Sequence, residues 1–314
     1  MEKAKSSFSL SGFALMAGVI AAMLIGMFIL KPINTPEDIE NIRKVLGNLV
    51  VLLRYLPQIG TLIAFWLVIT KLPKVEWKKE KMSIWEIIKM LAMAYTVSMV
   101  FLFLGDFITK LISVGGSEQL NVVSSLMNSN SIWAILIPTI LAPVVEELIF
   151  RKLLIDRLHN YGEKAVIIFT AICFGLFHGN LTQTLFGTCA GLFLGYVYCK
   201  TGNIIYTLFM HIALNTTTTS LSLPMQMLSG AREKNIVLMV LPLVWIAFLL
   251  IVGLVTFIRH LIKKDIQLDD TMPTAIPKNL VFKTVYLNIG VILYLVFHIY
   301  LVIADLFNLP FFNI

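Results

Sequence analysis

The sequence has few charged residues, few cysteines and no internal repeat. Only 14% of its 314 residues are charged, whereas about a quarter are charged in soluble domains. Cys173, Cys189 and Cys199 lie within or at the ends of apolar runs without a CxxC spacing, and we interpret them as small core hydrophobes. No stretch is long and polar enough to form a soluble domain. Residues 1–314 are therefore predicted to form a single integral membrane domain.

Apolar runs of membrane-spanning length take up most of the chain. Hydrophobic residues make up 58% of it, and the mean hydropathy is +0.86. Eight runs are long enough to cross the hydrocarbon as helices, and a ninth, shorter run needs its neighbours in order to span. The runs lie at 8–30, 48–70, 86–109, 131–154, 183–199, 203–221, 237–258 and 283–305, with the shorter one at 164–178. We predict an all-α fold, a polytopic membrane helix bundle of about eight to nine transmembrane helices.

The net charge of +7 comes from Lys and Arg residues that alternate between the two sides of the predicted bundle. With a cytoplasmic N-terminus, the inner loops carry about sixteen basic residues and the outer loops about six. This bias predicts a multi-pass cell-membrane protein whose basic loops contact membrane lipid, and it does not imply nucleic-acid binding. His159 and His260 lie in the inner loops and are expected to be solvated.

Two adjacent glutamates, Glu146 and Glu147, stand inside the fourth apolar run. A charged group in hydrocarbon costs at least a few kcal/mol, so such groups face a protein interior or a water-filled cavity and usually mark function. Glu147 and Arg151 are four residues apart and are predicted to pair, whereas Glu146 is turned about 100° around the helix. Pro143 removes a backbone hydrogen bond beside Glu146 and can admit water there. The alternative is a salt-bridged cluster that only stabilises helix packing.

Two further motifs place polar side chains on single helix faces. Phe174 and His178 are four residues apart, as are His211 and Asn215. Counted from the inner helix ends, Glu146 lies at roughly 9 Å and His211 at roughly 12 Å, so the two are predicted to share a level. We expect His178 to reach the same interior, the alternative being a hydrogen-bonded structural histidine at a helix end.

This set of side chains supports one kind of chemistry. A carboxylate and an imidazole around one water form a general-base site, and His and Asn donors can stabilise an oxyanion. The chain lacks the HExxH motif of zinc proteases, a GxSxG-like nucleophile elbow and the second intramembrane Asp of an aspartyl mechanism. The residues therefore favour hydrolysis of an amide inside a membrane by a glutamate-activated water.

Three motifs follow one another on three predicted membrane helices. They read Glu146-Glu147-x-x-x-Arg151, Phe174-x-x-x-His178 and His211-x-x-x-Asn215. Together and in this order they resemble the CAAX-prenyl-protease and bacteriocin-processing family of intramembrane endopeptidases (CPBP, also called Abi). The resemblance covers roughly residues 130–220, which are identified as the catalytic core, and the flanking helices carry no motif.

The resemblance implies a role for each motif residue. Glu146 activates the water with help from His178, and His211 with Asn215 forms the oxyanion site. The supporting residues are Glu147, Arg151 and Phe174. We favour a mechanism without a cofactor; the alternative is a zinc ion held by Glu146, His178 and His211 with an open fourth position.

The leading hypothesis is an intramembrane endopeptidase that cleaves a membrane-associated peptide or protein. One alternative is a non-proteolytic bacteriocin self-immunity or regulatory membrane protein that uses the same fold for binding. Another is a proton-coupled transporter, against which the lack of an internal repeat counts. The membrane-only chain without organelle signals is typical of a bacterial protein, in which prenylated substrates are not expected.

Overall fold

A computed structural model describes residues 1–30, 53, 55–77, 79–112, 136–221, 235–264 and 266–309. Within these ranges the chain forms helices joined by turns and loops, with no strand. The helices are α1 (Glu2–Ile25), α2 (Leu56–Ile69), α3 (Ile84–Ile112), α4 (137–158), α5 (Glu163–Leu176), α6 (Leu181–Thr201), α7 (Ile204–Ser220), α8 (Ile236–Lys263) and α9 (Ile289–Leu306). The predicted all-α polytopic bundle is confirmed.

Four helices are long and apolar enough to cross a membrane on length and composition alone. They are Glu2–Phe28, which extends α1, together with Ile84–Ile112, Ile236–Lys263 and Ile289–Leu306. Helix α2 is a shorter apolar helix. The predicted runs 48–70 and 131–154 lie partly outside the described residues. Six of the basic residues used for the charge count lie wholly outside them: Lys31, Arg43, Lys44, Lys78, Arg232 and Lys234.

Helix α4 is built from four consecutive segments. The α-helical stretch Ala142–Glu147 is flanked by the π-helical stretches Ile137–Leu141 and Leu148–Ile155, and Asp156–Leu158 ends the helix. π-Helical turns are rare in proteins. Where they interrupt an α-helix, they often lie at a functional site. The irregular helix is the one that carries Glu146 and Glu147.

The starts of α6 and α7 are fixed by asparagine caps. The Asn180 side chain accepts the Gln183 N–H at 2.9 Å, and that of Asn203 accepts the Ile205 N–H at 3.0 Å. Between the two helices, Gly202 has φ +57°, a left-handed conformation that glycine adopts without steric penalty. The tight connection makes α6 and α7 neighbours that turn back on each other.

Glycines let α5 and α6 approach closely. A Cβ on Gly175 would collide with the Thr188 side chain and the Thr184 carbonyl, and one on Gly191 would lie 3.2 Å from the Phe174 ring. Small residues at such contacts allow backbones to approach within membranes. This packing sets the position of the end of α5, where Phe174 and His178 lie.

The segments predicted to be cytoplasmic meet at one end of the bundle. The Val75 N–H donates to the Asp156 carbonyl at 2.7 Å, and the Glu80 N–H donates to the Lys200 carbonyl at 2.7 Å. The start of α1 joins them, since the Ser7 and Tyr161 hydroxyls are 2.9 Å apart. These contacts gather the basic segments together, and the side of the membrane that they face stays a prediction.

His159 corrects one expectation. It is 1% exposed rather than solvated, its ring stacks on Trp77 with 4.2 Å between centroids, and its Nε2 is 3.5 Å from Glu163 Oε1. Sequence polarity did not reveal this because the basic segment before α3 folds over the turn after α4. The loop is a packed structure rather than a solvated one.

Candidate active site

The start of α4 binds Asn215 through a carbonyl that has lost its backbone partner. The Ala142 N–H donates to the Ile137 carbonyl, five residues earlier, as in a π-helix. In the same register the Pro138 carbonyl needs an N–H from Pro143, which has none. The Asn215 amide of α7 donates to that carbonyl instead, with Nδ2 3.0 Å from the oxygen. The proline predicted to loosen the helix thus leaves the acceptor that orients Asn215.

His211 lies between the two adjacent glutamates. Its Nδ1 is 2.9 Å from Glu147 Oε1, and its Nε2 is 3.4 Å from Glu146 Oε2. An ionised carboxylate only accepts, so Nδ1 donates its proton to Glu147 and Nε2 faces Glu146. Glu146 is 9% exposed and His211 4%, so both are largely withdrawn from solvent. The contact confirms that Glu146 and His211 share a level in the bundle.

The predicted pair of Glu147 and Arg151 is present. Arg151 Nε lies 3.4 Å from Glu147 Oε2, and the guanidinium carbon is 4.7 Å from the centroid of the Phe174 ring. Glu147 is 0% exposed and Arg151 1%. A buried charge is tolerated only when it is paired, so each of these groups depends on the other. Glu147 therefore serves two partners, a guanidinium and an imidazole.

Phe174 is packed among the charged groups. Its ring lies edge-on to His211, with 5.4 Å between centroids, and edge-on to His178 at 5.2 Å. Together with the Arg151 contact, these place one aromatic ring against three motif side chains. Phe174, which the sequence singled out only as a motif residue, thus packs between the polar side chains of the site.

His178 lies just past the end of α5 and is half-buried. Its Nδ1 is 3.0 Å from the Phe174 carbonyl, and because that oxygen only accepts, Nδ1 carries the proton and Nε2 is the basic nitrogen. Gly187 of α6 backs the ring, since a Cβ there would lie 3.5 Å from His178 Cε1. Among the described residues, no hydrogen bond or ion pair joins His178 to Glu146.

The residues named as a zinc-binding alternative come together only in part. Glu146 Oε2 and His211 Nε2 face each other, while His211 Nδ1 is taken by Glu147. Within the described part of the chain, no group of three or more His, Cys, Asp or Glu side chains is placed to hold a metal ion. The predicted ligand set of Glu146, His178 and His211 is thus not assembled among the described residues, and a zinc ion stays the alternative to a mechanism without a cofactor.

Two residues near the site were not singled out from the sequence. Thr207 is fully buried on α7, where its hydroxyl donates to the Ile204 carbonyl at 3.2 Å, and it precedes His211 by four residues, a spacing that could have indicated it. Tyr55, at the start of α2, donates its hydroxyl to the Leu141 carbonyl of α4. Tyr55 is far from α4 in sequence, so no local pattern could have pointed to that contact.

Comparisons with known proteins fall on this part of the chain. Residues 128–217 match the model of a family described as "Type II CAAX prenyl endopeptidase Rce1-like". The "Putative membrane peptidase YdiL" of Bacillus subtilis (strain 168) is 31% identical over 86 residues, which cover 26% of this chain and 34% of that protein. The matched part is thus about a third of the length of that curated relative. No solved structure matches the chain.

Proposed function

We propose that this protein is an intramembrane endopeptidase that hydrolyses a peptide bond with a glutamate-activated water, since residues 128–217 match the model of the Rce1-like family of type II CAAX prenyl endopeptidases. The resemblance found in the three motifs is confirmed at the level of the family. The family and the peptidase relative support a CAAX-type membrane protease in general. The roles of individual residues and the substrate are our proposal.

The observation that carries the proposal is the imidazole of His211 held between two carboxylates. Glu147 accepts from Nδ1 and so fixes the ring, as the aspartate of a hydrolytic triad orients its histidine. With both glutamates ionised, Arg151 supplies one compensating positive charge and a doubly protonated His211 supplies the second. A neutral group of four charges satisfies the requirement that buried charges be paired. In that state His211 Nε2 is a hydrogen-bond donor.

The steps follow from these charges. Glu146 takes a proton from a water molecule, whose oxygen attacks the scissile carbonyl carbon and forms a C–O bond. His211 Nε2–H and the second N–H of Asn215 stabilise the resulting oxyanion. The C–N bond then breaks as Glu146 returns the proton to the leaving amine. The products are a carboxyl terminus and a free amine. Before the attack, His178 assists Glu146 by accepting a hydrogen bond from the water at its basic Nε2.

The direct test compares two buried glutamates. Purified full-length protein with Glu146→Gln is expected to lose about 10²- to 10⁴-fold in kcat towards a peptide library, the range typical of a general base. Glu163→Gln is the matched control, because Glu163 is also buried but lies at the start of α5, where it pairs with Lys200. Both variants should remain folded. Wild-type cleavage by the Glu146 variant would refute the proposal.

The substrate that we propose is a membrane-associated peptide or protein. A bacterial membrane is the expected setting, with the N-terminus and the basic end of the bundle in the cytoplasm. Comparing the membrane-associated peptides of cells that carry wild type or Glu146→Gln identifies the substrate, because it accumulates uncleaved in the variant. Equal peptide profiles in the two strains would count against proteolysis.

A further inference from the structure

A cavity unrelated to the polar site lies at the basic end of the bundle. Its volume is about 560 Å³, and it opens between the first turns of α5 and the segment that leads into α9. None of the seven motif residues lines it. Ligand-binding pockets commonly measure about 300–1,000 Å³, so its size suits a small ligand or part of a larger one.

One part of the cavity wall is positively charged. Lys164 of α5 and Lys278 both line it and are exposed. Within the described residues neither ammonium group forms an ion pair. Asp270 also lines the cavity, but its Oδ1 accepts the backbone N–H of Lys164 at 3.1 Å and so lies against the start of α5. The two lysines remain available to an anion.

Another part of the wall is apolar and open. Ile168, Val281 and Phe282 line it, and the side chains of Ile168 and Phe282 are 36% and 66% exposed. Ile168 lies one turn further along α5 than Lys164, on the same face and towards the apolar part of that helix. The cavity thus combines cationic groups with apolar surface.

We propose that this cavity binds an anionic phospholipid, with the phosphate between Lys164 and Lys278 and the first part of the acyl chains along Ile168 and Phe282. A soluble anion would leave the apolar wall exposed to water. A zwitterionic lipid would bring no net charge to the two lysines. Basic residues near a membrane surface attract anionic lipids, so the pair selects for negative charge.

Occupancy of the cavity is expected to stabilise the basic end of the bundle. The walls are already joined by the Ile276 N–H donating to the Tyr161 carbonyl at 3.0 Å and by the Asp269 N–H donating to Glu163 Oε2 at 2.7 Å. A lipid that contacts both walls binds the folded state and not the unfolded chain. Thermal stability should therefore rise with its concentration.

The test measures lipid retained by purified full-length protein with native mass spectrometry, alongside the melting temperature. The probes are phosphatidylglycerol, phosphatidylcholine and glycerol phosphate. Wild type should retain phosphatidylglycerol preferentially and gain thermal stability from it, while the other two probes have little effect. Lys164→Gln/Lys278→Gln should weaken phosphatidylglycerol binding about tenfold or more, as expected for the loss of two such lysines.

Two further variants separate the cavity from surface charge in general. Lys263→Gln/Lys283→Gln removes the same charge from exposed lysines that do not line the cavity, and it should bind as wild type does. Ala275→Leu fills the cavity without changing charge and should weaken binding. Equal losses in the two lysine pairs, equal retention of phosphatidylcholine, or stabilisation by glycerol phosphate alone would each overturn the proposal.

Discussion

Helix α8 and helix α4 differ most clearly in which side chains they bury. In the most apolar window of α8 only 17% of the residues are buried inside the protein, and its large side chains, such as Leu254 and Val255, face outwards. Helix α4 buries Glu146, Glu147 and Arg151 instead. An outward-facing helix needs only apolar composition to be stable in lipid, whereas α4 depends on particular partners from α5 and α7. Single substitutions should therefore have very unequal effects in the two regions.

The largest effect on stability is expected at Arg151. Arg151→Met leaves Glu147 buried without its guanidinium, and breaking a buried pair in this way destabilises a protein by about 3–5 kcal/mol. Denaturant unfolding in detergent measures the loss. The double variant Arg151→Met/Glu147→Gln should recover much of it, because no unpaired charge remains. A single variant as stable as wild type would show that α4 does not depend on the pair.

A smaller loss is expected where α5 meets α6. Gly175→Ala introduces a Cβ that collides with the Thr188 side chain and the Thr184 carbonyl, and overpacking of this kind costs about 1–3 kcal/mol. Val255→Ala on α8 is the matched peripheral change, since that side chain is 62% exposed. Unfolding midpoints of the two variants can be compared in one detergent. Equal losses would remove the contrast between the two regions.

The smallest expected effect on stability is the pH dependence that Glu163 contributes at the basic end of the bundle. Burial raises the pKa of Glu163, but the close contact with His159, the hydrogen bond from the Asp269 N–H and the ion pair with Lys200 outweigh it, so the pKa lies below the ordinary 4.5. A lowered folded pKa means that the stabilisation is present above pH 4.5 and is lost as the pH falls through the folded value. The stability difference between wild type and Glu163→Gln should therefore shrink on acidification below pH 4.5. A constant difference would contradict this assignment.

The sequence predicted the fold class and the ion pair of α4 because both depend on short-range patterns. Apolar runs of membrane length indicate helices, and the spacing of Glu147 and Arg151 places them on one face. The double contact of His211 with Glu146 and Glu147 was not predicted. The depth count placed Glu146 and His211 at one level, but the contact also depends on how α7 is rotated towards α4 and how closely the two helices pack, which residue spacing within one helix does not specify.

Two other features required the packed structure for the same reason. His159 was assigned to solvent from its basic neighbours, but Trp77, on a distant segment, covers it. Asn215 was assigned to an oxyanion site, and its hydrogen bond to the Pro138 carbonyl depends on a π-turn that brings Pro143 into register with that carbonyl. Neither contact can be read from residues within a few positions of each other.

The sequence by itself determined that this chain is a helical membrane protein and which polar residues lie inside its apolar runs. Composition and spacing suffice for that, because the bilayer excludes unpaired charge and permits only internally hydrogen-bonded backbone. Only the tertiary structure decided how those residues are joined, with Glu147 shared by Arg151 and His211 and with His211 facing Glu146. The physical reason is that hydrogen bonds and ion pairs act over about 3–4 Å, a distance that only the packing of α4 against α7 can set.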